Sequence, residues 1–145
     1  MQVKLFICSS SSALDARTNS ISVFHILEEI HAPAYPIVIP GMSVIALLDL
    51  DDGEPIDQEI ELRFYLGDQQ LFAVPFQTDF QVRRKARALA DLNGLVVPAP
   101  GILRILLHSA GHDIVSWQIL CDQNAPPQMD LHFEPAGQRM AQQGR

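Results

Sequence analysis

Along most of the chain, apolar and polar residues alternate with a period of two, the signature of strands with one buried face. The clearest case is Ile60 to Leu66: Ile60, Leu62, Phe64 and Leu66 share one parity, and Glu61 and Arg63 take the other. Val3, Leu5 and Ile7 alternate in the same way against Lys4 and predict a first strand over Gln2 to Ser9. Consecutive serines, Ser9 to Ser12, followed by Asp15 and Asn19 predict a polar loop from Ser9 to Asn19. A second strand is expected over Ser20 to Ile30, with a parity break near Ile26 where a bulge would re-aim it. Leu27, Glu28 and Glu29 favour helix, but the β-branched residues before them favour strand. Pro33, Pro36 and Pro40 make His31 to Pro40 an extended crossover or edge segment. Gly41 to Leu50 is almost continuously apolar and suits a central strand covered on both sides.

The second half continues the pattern. Leu71 to Val82 reads as a strand whose Pro75 marks an edge or a bend. Arg83 to Asn93 has helical composition, and Val82, Ala86, Leu89 and Leu92 have helical spacing. Its place between β elements favours a strand running into Leu95 to Val97. Pro98, Pro100 and Gly101 then open a closing hairpin. Leu103, Ile105 and Leu107 share a face in its first arm, and Val115, Trp117, Ile119 and Cys121 in its second. Ala110 to Asp113 supplies the turn. A hairpin is marginal alone, so a second layer must cover its apolar face. The expected architecture is an all-β antiparallel sandwich of seven to eight strands, immunoglobulin-like or similar, with a closed barrel as the second choice.

A chain of 145 residues is expected to form one domain, here 1–122, with a mobile tail over 123–145. Met129, Leu131 and Phe133 alternate within that tail and offer a short extra strand. The net charge of −7 argues against nucleic acid and anionic membrane as partners. Apolar runs are far shorter than the ~20 residues of a membrane span. The N-terminus lacks an Ala-x-Ala cleavage site, so a cytoplasmic location is expected. Cys8 and Cys121 close the first and last core strands and are expected as buried, unpaired thiols, near each other if those strands are neighbours.

Asp15-x-x-Thr18-Asn19-Ser20-x-Ser22-Val23-Phe24, Pro36, Pro40 and Gly94-Leu95-Val96-Val97-Pro98-x-Pro100-Gly101 together resemble an uncharacterised bacterial β-sandwich family of unknown function. The resemblance covers Val3 to Cys121 and implies a fold. It implies no activity, cofactor or catalytic residue. The Pro-x-Pro-Gly hairpin is also similar to the penultimate strand of immunoglobulin-like domains, which often carry a tyrosine soon after the glycine. Leu103 stands there instead.

Asp49, Asp51, Asp52, Glu54, Asp57 and Glu59 form the densest charged cluster. Carboxylates on a sandwich loop suit Ca²⁺, with Asp49, Asp51, Asp52 and Glu54 as the candidate ligands. However, Gly53 falls one residue early for an EF-hand and no Glu stands at its twelfth position. A solvated loop explains the same charges. His108 and His112 flank the hairpin turn beside Asp113 without a further ligand nearby, and His25 and His31 lack the zinc-helix spacing. Ser9 to Ser12 lie outside any Gly-x-Ser-x-Gly nucleophile motif. Arg83, Arg84, Lys85 and Arg87 form a basic run without interleaved aromatics, suited to an acidic partner or to the acidic loop of a second copy.

No assembled catalytic constellation is expected, and no cofactor. The expected function is a non-enzymatic interaction or assembly module whose partner is another protein or a second copy of the chain. The alternative is a calcium- or small-ligand-binding sandwich using the Asp49 to Glu59 loop.

Overall fold

Among the described residues the period-two segments fold as strands. The structure, a computed structural model, describes residues 1–76, 78, 80 and 84–124. In chain order the strands are β1 (Gln2–Asp15), β2 (Ser20–Ile26), β3 (Glu29–His31), β4 (Ile37–Asp49), β5 (Ile60–Leu66), β6 (Gln69–Pro75), β7 (Lys85–Val97), β8 (Gly101–Ser109) and β9 (His112–Asp122). One sheet runs β2-β1-β4-β7 and the other β3-β9-β8-β5-β6. Every pairing is antiparallel except β3 with β9. The order is immunoglobulin-like: β4 and β7 stand as B and E, and β5, β6, β8 and β9 as C, C′, F and G. Among the described residues no helix is long and apolar enough to cross a membrane.

The core lies between the sheets. Val44, Ala46 and Leu48 of β4 meet Leu62, Phe64, Leu103, Ile105, Leu107 and Ile119 of the facing sheet, all essentially without solvent contact. Each large apolar side chain buried this way contributes about 1.5–3 kcal/mol. Phe64 stacks on its cross-strand partner Phe72 with ring centroids 4.4 Å apart. Trp117 is half-buried against this core and donates its indole N–H to Leu27 O at 2.7 Å. That bond seals the flank where the chain leaves β2 for β3.

Several expectations hold. Ile60 to Leu66 is β5, and the apolar run is central, with β4 held between β1 and β7. The segment with helical composition is strand from Lys85 to Val97. The closing hairpin turns on two residues, Ala110 and Gly111, whose φ angles of 51° and 82° are those of a tight hairpin turn.

Others are corrected. The serine loop does not exist as such, because β1 continues through Ser9 to Ser12 as far as Asp15. The hydroxyls find partners within strand geometry: Ser9 Oγ donates to Ser11 O at 3.0 Å and Ser10 Oγ to Phe24 O at 3.1 Å. The expected single strand Ser20 to Ile30 is two strands in different sheets. The break falls at His25, which takes a left-handed φ of 52°, and no residue is inserted into the pairing with β1. The chain then crosses over, and Glu28 O accepts the Leu120 amide at 2.8 Å. The strand expected over Leu71 to Val82 ends at Pro75, and residues 77, 79 and 81–83 lie outside the described residues. Residues 125–145, including the alternation at Met129, Leu131 and Phe133, also lie outside them. Cys8 and Cys121 are free and buried, on β1 and β9, which belong to opposite sheets and pack against each other across the core. Burial pushes the Cys8 thiol up to about 12.

Candidate interaction surface

The first feature that leaves the sandwich frame is an arm made by the far halves of β1 and β2. β1 pairs with β4 only as far as Ser9, opposite Ser43; from Ser11 to Asp15 it pairs with β2 alone. This two-stranded arm lies across the outward face of its own sheet. Near its root Ser12 Oγ donates to Ser43 Oγ at 3.3 Å, and Ser43 Oγ in turn to Asp91 Oδ1 at 2.5 Å. At its tip Arg87 Nη1 donates to Asn19 O at 2.8 Å and to Asn19 Oδ1 at 3.1 Å. Ser43 and the Arg87–Leu47 pair bracket the row of Ile45, which points away from the core between Ile7 and Leu89. Ile45 is nevertheless 0% exposed. The arm covers it.

The tip is built by the Asp15-x-x-Thr18-Asn19 pattern. Asp15 Oδ1 accepts the amides of Arg17 at 2.9 Å and Thr18 at 3.3 Å, which holds its carboxyl below the usual value. Asn19 takes a left-handed φ of 54°, a conformation asparagine tolerates, and so turns its carbonyl toward Arg87. Part of the pattern that carried the family resemblance, Asp15, Thr18 and Asn19, thus builds the clasp of the arm.

Seating the arm leaves one rim of the sheet open. Among the described residues β2 has no strand on its outer side. Natural edge strands are blunted by shortness, charge or proline. In the other sheet these devices are present: β3 has three residues, two of them Glu29 and His31, and β6 ends in Pro75. β2, Ser-Ile-Ser-Val-Phe-His-Ile, has no Lys, Arg, Asp, Glu, Pro or Gly. Leu14, Phe24 and Ile26 on the arm are 53%, 47% and 52% exposed. In the register with β1, Phe24 stands opposite Ser11, on the face away from the sheet.

The acidic loop is engaged by the chain's own cations. The Met1 ammonium donates to Asp51 Oδ2 at 2.9 Å and Glu54 Oε1 at 2.5 Å. Gln2 donates to Asp51 Oδ1, and Arg84 Nη2 donates to the carbonyls of Asp51 and Glu54. Asp49 lies 4.0 Å from Lys4 Nζ and 3.9 Å from Lys85 Nζ, and Asp52 is exposed. Arg84 and Lys85 therefore serve their own loop, while Arg83 lies outside the described residues. Among the described residues no three His, Cys, Asp or Glu side chains converge to hold a metal. A cation at Asp51 and Glu54 would first have to displace the ammonium.

The Met1 ammonium holds the Asp51 and Glu54 carboxyls below their ordinary 3.8 and 4.5, and their hydrogen bonds raise the amine above its ordinary 8.0. The carboxylates' contribution to stability is complete above their ordinary values and is lost as pH falls through the depressed ones. The amine's contribution is complete below 8.0 and is lost as pH rises through its raised value. Asp51→Asn is expected to flatten the acid side of a melting-temperature profile relative to the unsubstituted chain. An acid limb of unchanged steepness would contradict the clasp.

The remaining candidates do not converge. His108 Nδ1 pairs with Asp113 Oδ1 at 2.7 Å, whereas His112 Nδ1 sits 3.2 Å from Ala110 O. His25 approaches Ser10 Oγ and His31 approaches Glu29. Beside the acidic loop an open groove of about 1140 Å³ is lined by Asp57, Glu59, Glu61, Arg63, His108 and Ser109, among others. Its charges are largely matched internally, with Arg63 Nε donating to Glu61 Oε2 at 2.6 Å and His108 held by Asp113.

The arm was not visible in the sequence. One signal pointed to it: four serines and then Asp-x-x-Thr-Asn, directly followed by a strand without a single charge. No curated protein matches the chain. The model of DUF6941, a family of unknown function, matches residues 5–121, which takes in both the clasp and the closing hairpin. The chain belongs to this family.

Proposed function

We propose that the chain is a non-enzymatic interaction module, in a bacterial cytoplasm, that takes up an extended segment of a partner protein along β2. The observation that carries this reading is the contrast between rims: β3 and β6 carry blunting devices, while β2 carries none and exposes its own Phe24 and Ile26. Strand addition supplies main-chain hydrogen bonds for affinity, and alternate side-chain contacts supply selectivity. Phe24 and Ile26, on the arm's exposed side, are suited to the second role. The arm, clasped by Arg87, holds the rim in place before a partner arrives, so little ordering entropy remains to be lost on binding.

The test is capture from the native host on the immobilised full chain, with Phe24→Lys and Ile26→Lys beside it. Both substitutions put a charge on the rim without touching the core. Each is expected to abolish capture of whatever the unsubstituted chain retains, at an unchanged melting temperature. Val38→Lys, exposed on the same sheet but away from the arm, is expected to capture normally. Equal capture by all four chains would overturn the reading.

A further inference from the structure

The same sheet ends on its other side in β7, thirteen residues long and, among the described residues, unpaired on its outer edge. Resting on the reading that this sheet recruits strands at its rims, we infer that two copies of the chain pair antiparallel along β7, about a twofold axis at Leu89. An axis there sets Leu89 opposite its own copy, Arg87 opposite Asp91, and Lys85 opposite Asn93, with each unlike pair formed twice. All of these side chains lie on the outward face, because Ala86, Ala88, Ala90 and Leu92 face the core. Opposite charges directly across an antiparallel pair attract, and like charges repel.

The neighbouring registers are worse. An axis at Ala88 also forms an unlike pair, Lys85 with Asp91, but it sets Arg87 against Leu89 and loses the contact of Leu89 with its own copy; one at Ala90 sets Leu89 against Asp91. An axis at Asp91 opposes two carboxylates. The Leu89 register also ends where the strand's regular part ends: Gly94, at φ 75°, is where the core-facing parity of β7 switches from Ala90 and Leu92 to Leu95 and Val97. Leu89, 38% exposed in the single chain, becomes the centre of the contact. Arg87 keeps its clasp on the arm, since both bonds to Asn19 use Nη1. The product is one continuous sheet of eight strands with the two β2 rims at its far ends, still open to partners. A twofold contact of this kind closes on itself and builds no filament.

Sedimentation equilibrium of the full chain tests this. The unsubstituted chain is expected to be a dimer. Arg87→Asp and Asp91→Arg alone each turn two attractions into two repulsions and are expected to weaken the dimer by about tenfold or more. The doubly substituted chain restores unlike pairs and is expected to recover most of that loss. Because Asp91 also accepts from Ser43 and Arg87 clasps the arm, a second variant stands apart from both. In Leu89→Cys the twofold-related Cα atoms would lie about 4.5–5.5 Å apart, within disulfide reach. Copper–phenanthroline is expected to remove one electron and one proton from each introduced thiol and give a covalent dimer. Cys8 and Cys121 are buried and do not compete. A strict monomer at all concentrations, a dimer indifferent to the single reversals, or a Leu89→Cys chain that forms no cross-link would overturn the inference. None of these outcomes touches the partner capture on β2, which fails or succeeds through Phe24 and Ile26.

Discussion

Phe64→Ala is expected to lower the stability of the chain by about 3–5 kcal/mol, the usual range for removing a buried aromatic ring. Phe64 is 0% exposed, sits at the middle of β5 between β6 and β8, and stacks on Phe72 at 4.4 Å. Truncation removes the ring's transfer energy, leaves a cavity that close-packed neighbours cannot fully fill, and strips one face from Phe72. Single domains are stable by about 5–15 kcal/mol, so the loss is a large fraction of the whole. Urea unfolding followed by Trp117 fluorescence measures it. The midpoint should fall with little change in slope. A loss below about 1.5 kcal/mol would mean that the two sheets do not close over this position.

The second large effect is expected from Ile45→Asp, at about 4 kcal/mol or more, because an unpaired carboxylate would be placed in a dry site. Strand parity alone would call this substitution mild: Ile45 points to the outward face of its sheet, opposite in sense to Val44 and Ala46. Only the arm makes the position interior. Val38→Asp is the matched control, on the same strand and also pointing outward, but 61% exposed. It should cost no more than about 1 kcal/mol. If the two substitutions cost the same, the arm does not rest on the sheet. If Ile45→Asp is costly and Arg87→Ala loosens the arm, the clasp at Asn19 is the reason.

The sequence shows the sandwich wherever side-chain polarity records position: by alternation where one strand face meets the core and the other meets water, and by an unbroken apolar run where both faces are covered. Glu61 and Arg63 alternating with Leu62 and Phe64 mark β5 for this reason, and the unbroken run Val44 to Leu48 marks β4 as covered on both sides. The serines of β1 record nothing of the kind. Their hydroxyls are satisfied by Ser11 O, Phe24 O and Ser43, so the residues that look most like a loop form a strand instead. Nor does local pattern show that β2 and β3 part to different sheets, since that depends on Glu28 meeting Leu120 from the far end of the chain. The acidic cluster was plain, but its neutralising partners were not. Met1 lies fifty residues from Asp51, and Arg84 reaches the loop's carbonyls from the start of β7. A surface that binds by its backbone edge leaves only a faint trace in side chains. In β2 that trace is an absence of charge.

Amide-resolved hydrogen exchange across Ser20 to Ile26 tests most directly whether β2 is a rim held open by the arm. In the isolated chain, alternate amides should exchange slowly through their bonds to β1, and those between them should exchange at the rate of solvent-exposed groups. When a captured partner is added, the fast set should become slow. A β2 already protected throughout in the isolated chain, or a fast set that stays fast with the partner bound, would contradict the account.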